Sequence, residues 1–260
     1  MAESNEKRPH FKPGEVIISP VTEADLISLS EGYYASFGDA WFDKIEPVSI
    51  RPSPSTQAFR FAERMKPWLR EPHTRWTKAT LAPTAPGYDP AHPDRVIGHA
   101  GWLGPARTAI ETLNFWRKDA TDVLGWREKM GWTKEYEEEL WSGTDVEVYT
   151  GIFLKWDPVR GAKMEGKGGY WHLAPLWVVP EFQGRGVASL LMKDVTDIAD
   201  SQTPSTPMYL EAMEAAMPIY RHFGYEDVEG EGAGFVMIRY GPPKEEGTGE
   251  KEGAEEKEAE

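Results

Sequence analysis

The chain has no cysteine in its 260 residues. That excludes disulfides, thiolate metal ligands and a cysteine nucleophile, and it suits a reducing compartment. A cytoplasmic location is the expectation, with the nucleus left open, and no metal site is expected. No run approaches the roughly 18 consecutive apolar residues of a membrane span, so no membrane partner is expected. The opening stretch MAESNEKRPHFKPGE lacks an apolar centre and is not read as a signal peptide. Positive charge is scarce: 29 Lys and Arg stand against 43 Asp and Glu, a formal net charge of −14. A nucleic-acid partner held by a general basic surface is therefore not expected. Residues 244–260 hold eight Glu and three Lys, which leaves −9 on the rest, still acidic.

What is present is material for a core: 40% hydrophobic residues and 11 Trp. Residues 1–14 are polar and expected to be disordered, 15–240 form one domain, and 241–260 form a disordered acidic tail. Val16–Val21 reads as a strand. Thr22, three residues before Asp25, opens a helix in the manner of a capping box, and Leu26, Leu29, Ser30, Tyr33 and Phe37 follow at helical spacing. A second helix over 56–69 carries Phe59, Ala62, Met65 and Leu69 on one face. Thr74–Ala82 and Arg95–Leu103 read as strands joined by a proline-rich hairpin connection.

Residues 105–144 differ in character. They are charged and helix-prone, yet contain Phe115, Trp116, Trp126, Trp132, Tyr136 and Trp141. They read as a helical insertion that packs aromatic side chains inward, as a wall of a substrate groove, as plain packing, or as a dimer contact. Tyr170–Val179 is a strand closed by Pro180. A helix from Val187 to about Asp200 presents Val187, Leu190, Leu191, Val195, Ile198 and Ala199 as one stripe. Then come a strand in PMYLEAM, a helix in EAAMPIYRHF stopped by Gly224, and a last strand in GFVMIRY.

The junction VVPEFQGRGVASLL spends Gly184 and Gly186 at the start of a helix, where glycine costs up to about 1 kcal/mol against alanine. Strand, glycine-rich turn and helix make an anion cradle of unpaired backbone N–H groups. No Gly-Lys-Ser/Thr follows, so the turn is not a nucleotide P-loop, and the third glycine and acidic partner of a dinucleotide fingerprint are missing.

LWVVPEFQGRGVA resembles motif A of the general N-acetyltransferase (GNAT) superfamily: an apolar strand, then Gln or Arg, two residues, Gly, any residue, and Gly or Ala. Those positions are Gln183, Gly186 and Ala188. AAMPIYRHFGY resembles the family's motif B through Ala216, Tyr220, Gly224 and Tyr225. The two motif ends lie about 37 residues apart, room for helix, strand and helix. The resemblance covers about 16–240, with 105–144 outside the common pattern.

The resemblance implies an α/β fold with a mixed, mostly antiparallel sheet splayed at the motif A strand. It implies acetyl-CoA (coenzyme A) as cofactor, with the pyrophosphate on the N–H groups of Gly184, Arg185, Gly186, Val187, Ala188 and Ser189. The pantetheine arm would pair with the backbone of Leu176, Trp177 and Val178. The implied reaction is direct attack of an amine on the thioester, with no covalent enzyme intermediate, and Tyr220 as donor to the thiolate. His172, eleven residues before Gln183 on the same strand, is the first candidate base, and Glu211 the alternative. Many relatives have Asn seven residues before the tyrosine, where Met213 stands here. The acceptor would be a small-molecule or peptide amine, with cationic amines favoured by the acidic body. A non-catalytic acyl-CoA-binding or interaction protein is the alternative, and the oligomeric state stays open, a dimer included.

Overall fold

In the computed structural model, which describes residues 8–105, 113–230 and 234–243, Thr22 donates its backbone N–H to the Asp25 carboxylate at 2.7 Å. This is the capping box read from the sequence. It joins β1 (Val16–Pro20), through a 3-10 turn, to α1 (Leu26–Ser36). A short α2 (Asp39–Ile45) follows, then α3 (Pro54–Arg70), which Ser53 caps through its hydroxyl. The strands β2 (Thr74–Leu81) and β3 (Gly98–Leu103) pair antiparallel, as the hairpin reading expects. After them come the short helices α4 (Ala120–Val123), α5 (Trp126–Met130) and α6 (Lys134–Trp141). The long α7 (Val146–Met164) leads to β4 (Trp171–Val178) and α8 (Val187–Asp200). The chain closes with β5 (Met208–Glu211), α9 (Met217–His222), β6 (Glu226–Asp227) and β7 (Val236–Arg239).

The seven strands form one sheet in the order β1-β2-β3-β4-β5-β7-β6. All neighbours are antiparallel except β4 and β5, which run parallel and pair only over Trp171–Leu173 with Met208–Leu210. Beyond Leu173 the β5 side of β4 has no strand partner, so the sheet splays there, as the resemblance implies. Alternation assigns the faces. Gly98 of β3 lies against Val187 and Leu191 of α8, while Trp177 of β4, opposite His99, lies against Gly32 of α1. Leu103 of β3 pairs with His172, which puts His172 on the α1 side of the sheet.

Several expectations need correction. The buried side of α3 is Ala58, Phe61, Ala62, Met65 and Trp68; Phe59 is 46% exposed, so the apolar face is rotated from the one read. Leu190 is likewise exposed at 41%, and Met192 takes its place in the buried stripe of α8. Residues 8–14 do not float: Phe11 donates its N–H to the Arg185 carbonyl at 3.1 Å. Residues 1–7 and 244–260 lie outside the described residues. The aromatic segment does pack inward. Trp116 stacks on Tyr33 of α1 with ring centroids 5.5 Å apart, and Trp126 donates to the Glu71 carboxylate at 2.7 Å.

The sequence reading gives residues 145–169 no element, yet they hold the longest described helix. Asp145 caps α7 by accepting from the Val148 N–H at 3.1 Å. Its apolar residues are spread around the helix rather than set in a stripe, and Pro158 interrupts its interior.

Candidate active site

The loop between β4 and α8 is built by two left-handed glycines, Gly184 at φ +73° and Gly186 at φ +89°. A β-carbon is disfavoured in that region of backbone space, which explains the residue type at both positions. A β-carbon at Gly184 would meet nothing within 4 Å, so the loop opens onto free space. Among the described residues, none of the amides from Gly184 to Ser189 donates a hydrogen bond. Six consecutive N–H groups, three of them on the first turn of α8, therefore face outward as a cradle for an anion. Gln183 braces this loop: its side-chain amide donates to the Val178 carbonyl at 2.8 Å. Leu176, Trp177 and Val178 form the run of β4 whose β5 side is open. The cradle and the bare strand edge meet at one end of β4, and both fit a ligand with phosphates at one end and amides along its arm.

Tyr220 stands on α9 and is buried at 6% exposure. Burial pushes its pKa up, so the hydroxyl stays protonated at neutral pH. Its ring packs edge-on to Tyr225 at 5.9 Å, and its hydroxyl makes no hydrogen bond to the described residues.

The two candidate bases are partners. His172 Nε2 lies 3.1 Å from Glu211 Oε2. His172 is fully buried at 0% exposure, whereas the Glu211 side chain keeps 17%. The other Glu211 oxygen lies 3.7 Å from Nη1 of Arg160, which reaches in from α7. Arg160 also donates to Asp157 at 2.7 Å, and Asp157 accepts from Arg117 of the 105–144 segment at 2.6 Å. Burial alone would raise the Glu211 pKa. The interaction and hydrogen bond with His172, together with the Arg160 guanidinium, outweigh that and hold the carboxyl below its usual value of 4.5.

The sequence reading named His172, Glu211, Tyr220 and the loop. It missed Arg160, Asp157 and Arg117, whose signal was a charged pair one helical turn apart in a stretch assigned no element. Among the described residues no cluster of three or more His, Asp or Glu could hold a metal ion.

Comparison with known proteins agrees with the motif reading. Residues 157–240 match the model of the acetyltransferase (GNAT) domain family. No curated protein sequence matches the chain. Among solved structures, it is similar to histone acetyltransferase HPA2 and related acetyltransferase from Corynebacterium glutamicum, at 15% identity and a TM-score of 0.45, covering 88% of this chain and 97% of that one. It is also similar to a GNAT family acetyltransferase from Brucella melitensis in complex with acetyl-CoA, at 13% identity and a TM-score of 0.40, covering 88% and 91%. The PaiA N-acetyltransferase from Thermoplasma acidophilum, in complex with coenzyme A, gives 10% identity and a TM-score of 0.43, covering 86% and 98%. No described helix is long and apolar enough to cross a membrane.

Proposed function

We propose that the protein is an acetyl-CoA-dependent N-acetyltransferase acting on an amine by direct attack. The observation that carries this is the outward-facing row of amides from Gly184 to Ser189 continuing into the unpaired edge of β4, within a segment that matches the GNAT domain. Acetyl-CoA, when bound, supplies an activated thioester. The loop N–H groups would hold its phosphates, and Leu176–Val178 would offer to the amide-bearing arm the backbone groups of the open β4 edge, apart from the Val178 carbonyl that Gln183 occupies.

The acid–base work falls to Glu211 and Tyr220. Glu211 is the exposed member of the buried pair and takes the proton of the incoming amine. His172, with no open surface, positions Glu211 rather than touching the acceptor. Ionised at neutral pH, Glu211 also favours a cationic amine at the mouth of the site. Tyr220, kept protonated by burial, is the residue that would donate a proton to the leaving thiolate. No protein nucleophile is required, in keeping with a chain that has no cysteine.

The test is thiol release from acetyl-CoA over a panel of amines, alongside ligand-induced stabilisation. At about 100 times its dissociation constant, acetyl-CoA stabilises a folded binder by about 2.7 kcal/mol, a melting shift on the order of 5 °C for a chain of this size. Gly186→Glu sets bulk and negative charge in the cradle and abolishes the shift. A shift without turnover on any amine would favour a non-catalytic acyl-CoA-binding protein.

A further inference from the structure

We propose that the N-terminal segment Arg8–Lys12 is a working part of the coenzyme A phosphate site, holding Arg185 in place and setting His10 at the open side of the loop. This rests on reading 184–189 as the cofactor loop.

The segment is tied to that loop across more than 170 positions of chain. Arg8 donates through Nη1 to the Pro180 carbonyl at 3.1 Å and to the Glu181 carbonyl at 2.6 Å, clamping the turn that leads into the loop. Phe11 donates its N–H to the Arg185 carbonyl at 3.1 Å, and Arg185 Nε returns a bond to the Pro9 carbonyl at 3.2 Å. The Arg185 guanidinium lies 3.7 Å from the centre of the Phe11 ring, a cation–π stack. His10 Nδ1 comes within 3.5 Å of where a Gly186 β-carbon would stand, at the mouth of the cradle.

Two features separate a contributing strap from a plug. A plug would occupy the cradle, yet no carbonyl or side chain of the segment accepts from the amides of Gly184 to Ser189. The charge has the right sign as well. The protein carries a net −14, which repels a phosphate-bearing ligand, and Arg8, His10 and Arg185 gather basic groups at this loop. Arg185 spends only Nε on the strap, and neither of its Nη groups bonds to a described residue. Phe11 thus acts as a positioning residue for a guanidinium that can still donate to phosphate.

The experiment measures coenzyme A binding by calorimetry in the full-length protein and in full-length variants, with circular dichroism confirming that each variant is folded. Phe11→Ala combined with His10→Ala should weaken coenzyme A binding about three- to tenfold. Acetyl-pantetheine, which lacks the phosphates, should bind all proteins alike. If Phe11 acts through Arg185, Phe11→Ala adds nothing in an Arg185→Ala background. Unchanged coenzyme A affinity in the double variant overturns the proposal, and so does tighter binding, which would make the strap a plug. Failure of the unaltered protein to bind coenzyme A would instead refute the cofactor loop, and the strap's role with it.

Discussion

The two faces of the sheet are built from different materials. On one, α8 lays Val187, Leu191, Met192, Val195 and Ala199 against the strands, each at most 1% exposed, and among the described residues a single buried charge, Arg239 at 2%, is held at its end by Asp200. On the other, α1, α3, α6 and α7 bury aromatic rings together with a larger set of charges: Arg64, Glu46 and Arg160 are all at most 5% exposed. An aliphatic stripe needs nothing beyond burial. A buried charge needs a partner, and each one here has one: Glu46 lies 3.7 Å from Arg64 and accepts from the Tyr34 hydroxyl at 3.0 Å. The first face positions the cofactor loop, and the second sets the groups proposed for the acceptor.

The sharpest way to break this division is to separate binding from turnover. Glu211→Gln keeps the size of the side chain and removes its charge, so turnover should fall about 10²- to 10⁴-fold while coenzyme A affinity holds. Tyr220→Phe should do the same. His172→Ala should alter the acidic limb of the kcat/KM profile with pH, because the carboxylate loses the imidazole partner and hydrogen bond that hold its pKa down. Equal losses of affinity and turnover in Glu211→Gln would dissolve the distinction between the faces.

A stability comparison comes next. Arg160→Met leaves the carboxylates of Asp157 and Glu211 without their shared guanidinium, and breaking such a buried network costs about 3–5 kcal/mol. On the α8 face, Arg75 and Asp194 make a two-pronged pair at 2.8 and 2.9 Å, but Arg75 is 42% exposed. Asp194→Asn should therefore cost no more than about 1 kcal/mol. Urea unfolding of both variants measures the contrast, and equal costs would mean that the α7 network is solvated.

The uneven legibility of the sequence follows the same division. Gly184–Ser189 was readable because a tight turn before a helix is specified by neighbours in sequence, and both glycines need positive φ. The helix α8 was readable from its period, although Leu190 shows that a stripe drawn on composition alone can take in an exposed flank. By contrast, α7 has apolar residues on all sides and a proline within, so periodicity gave no element and Arg160 had no place to be assigned. In sequence His172 and Glu211 stand as alternative bases, because nothing local shows that β4 and β5 run side by side at that register. The docking of Arg8–Lys12 on Arg185 spans nearly the whole chain and leaves no periodic mark.

Two fully buried histidines on the same face refine the point further. His99 donates from Nδ1 to the Thr77 carbonyl at 2.9 Å, sits between the rings of Trp76 and Trp177, and has no carboxylate beside it. Burial pushes its pKa down to about 3. The unfolded imidazole titrates near 6.5, so between those values the unfolded chain binds the extra proton. Stability then falls as pH drops from about 6.5 towards 3, by at most about 1.4 kcal/mol per pH unit from this residue. His99→Asn, which keeps a donor for Thr77, should flatten the upper part of that slope in unfolding measured from pH 7 to 5. Glu211, with its lowered pKa, loses its contribution only below its usual 4.5, outside that range. A slope unchanged in His99→Asn would place the titration elsewhere.

The smallest expected effect lies where the chain departs from the pattern it resembles. Met213 stands at the position where many relatives carry an asparagine toward the pantetheine arm, and here it is 62% exposed at the end of β5. A thioether is a weak acceptor and donates nothing, so that one hydrogen bond is missing from the groove. The Cα of residue 213 is placed by neighbours that do not depend on its side chain: Ala212 donates to the Phe235 carbonyl at 2.7 Å, and Ala216 donates to the carbonyl of residue 213 at 2.8 Å. Met213→Asn should therefore keep the backbone and add one donor–acceptor pair. A typical hydrogen bond nets about 1 kcal/mol, and half-exposure to water lowers that, so coenzyme A should bind about two- to fivefold tighter. The gain should vanish for adenosine 3′,5′-bisphosphate, which has no pantetheine arm. Equal tightening of both ligands would mean that residue 213 senses the phosphate end, and the arm would then not run along β4 as proposed.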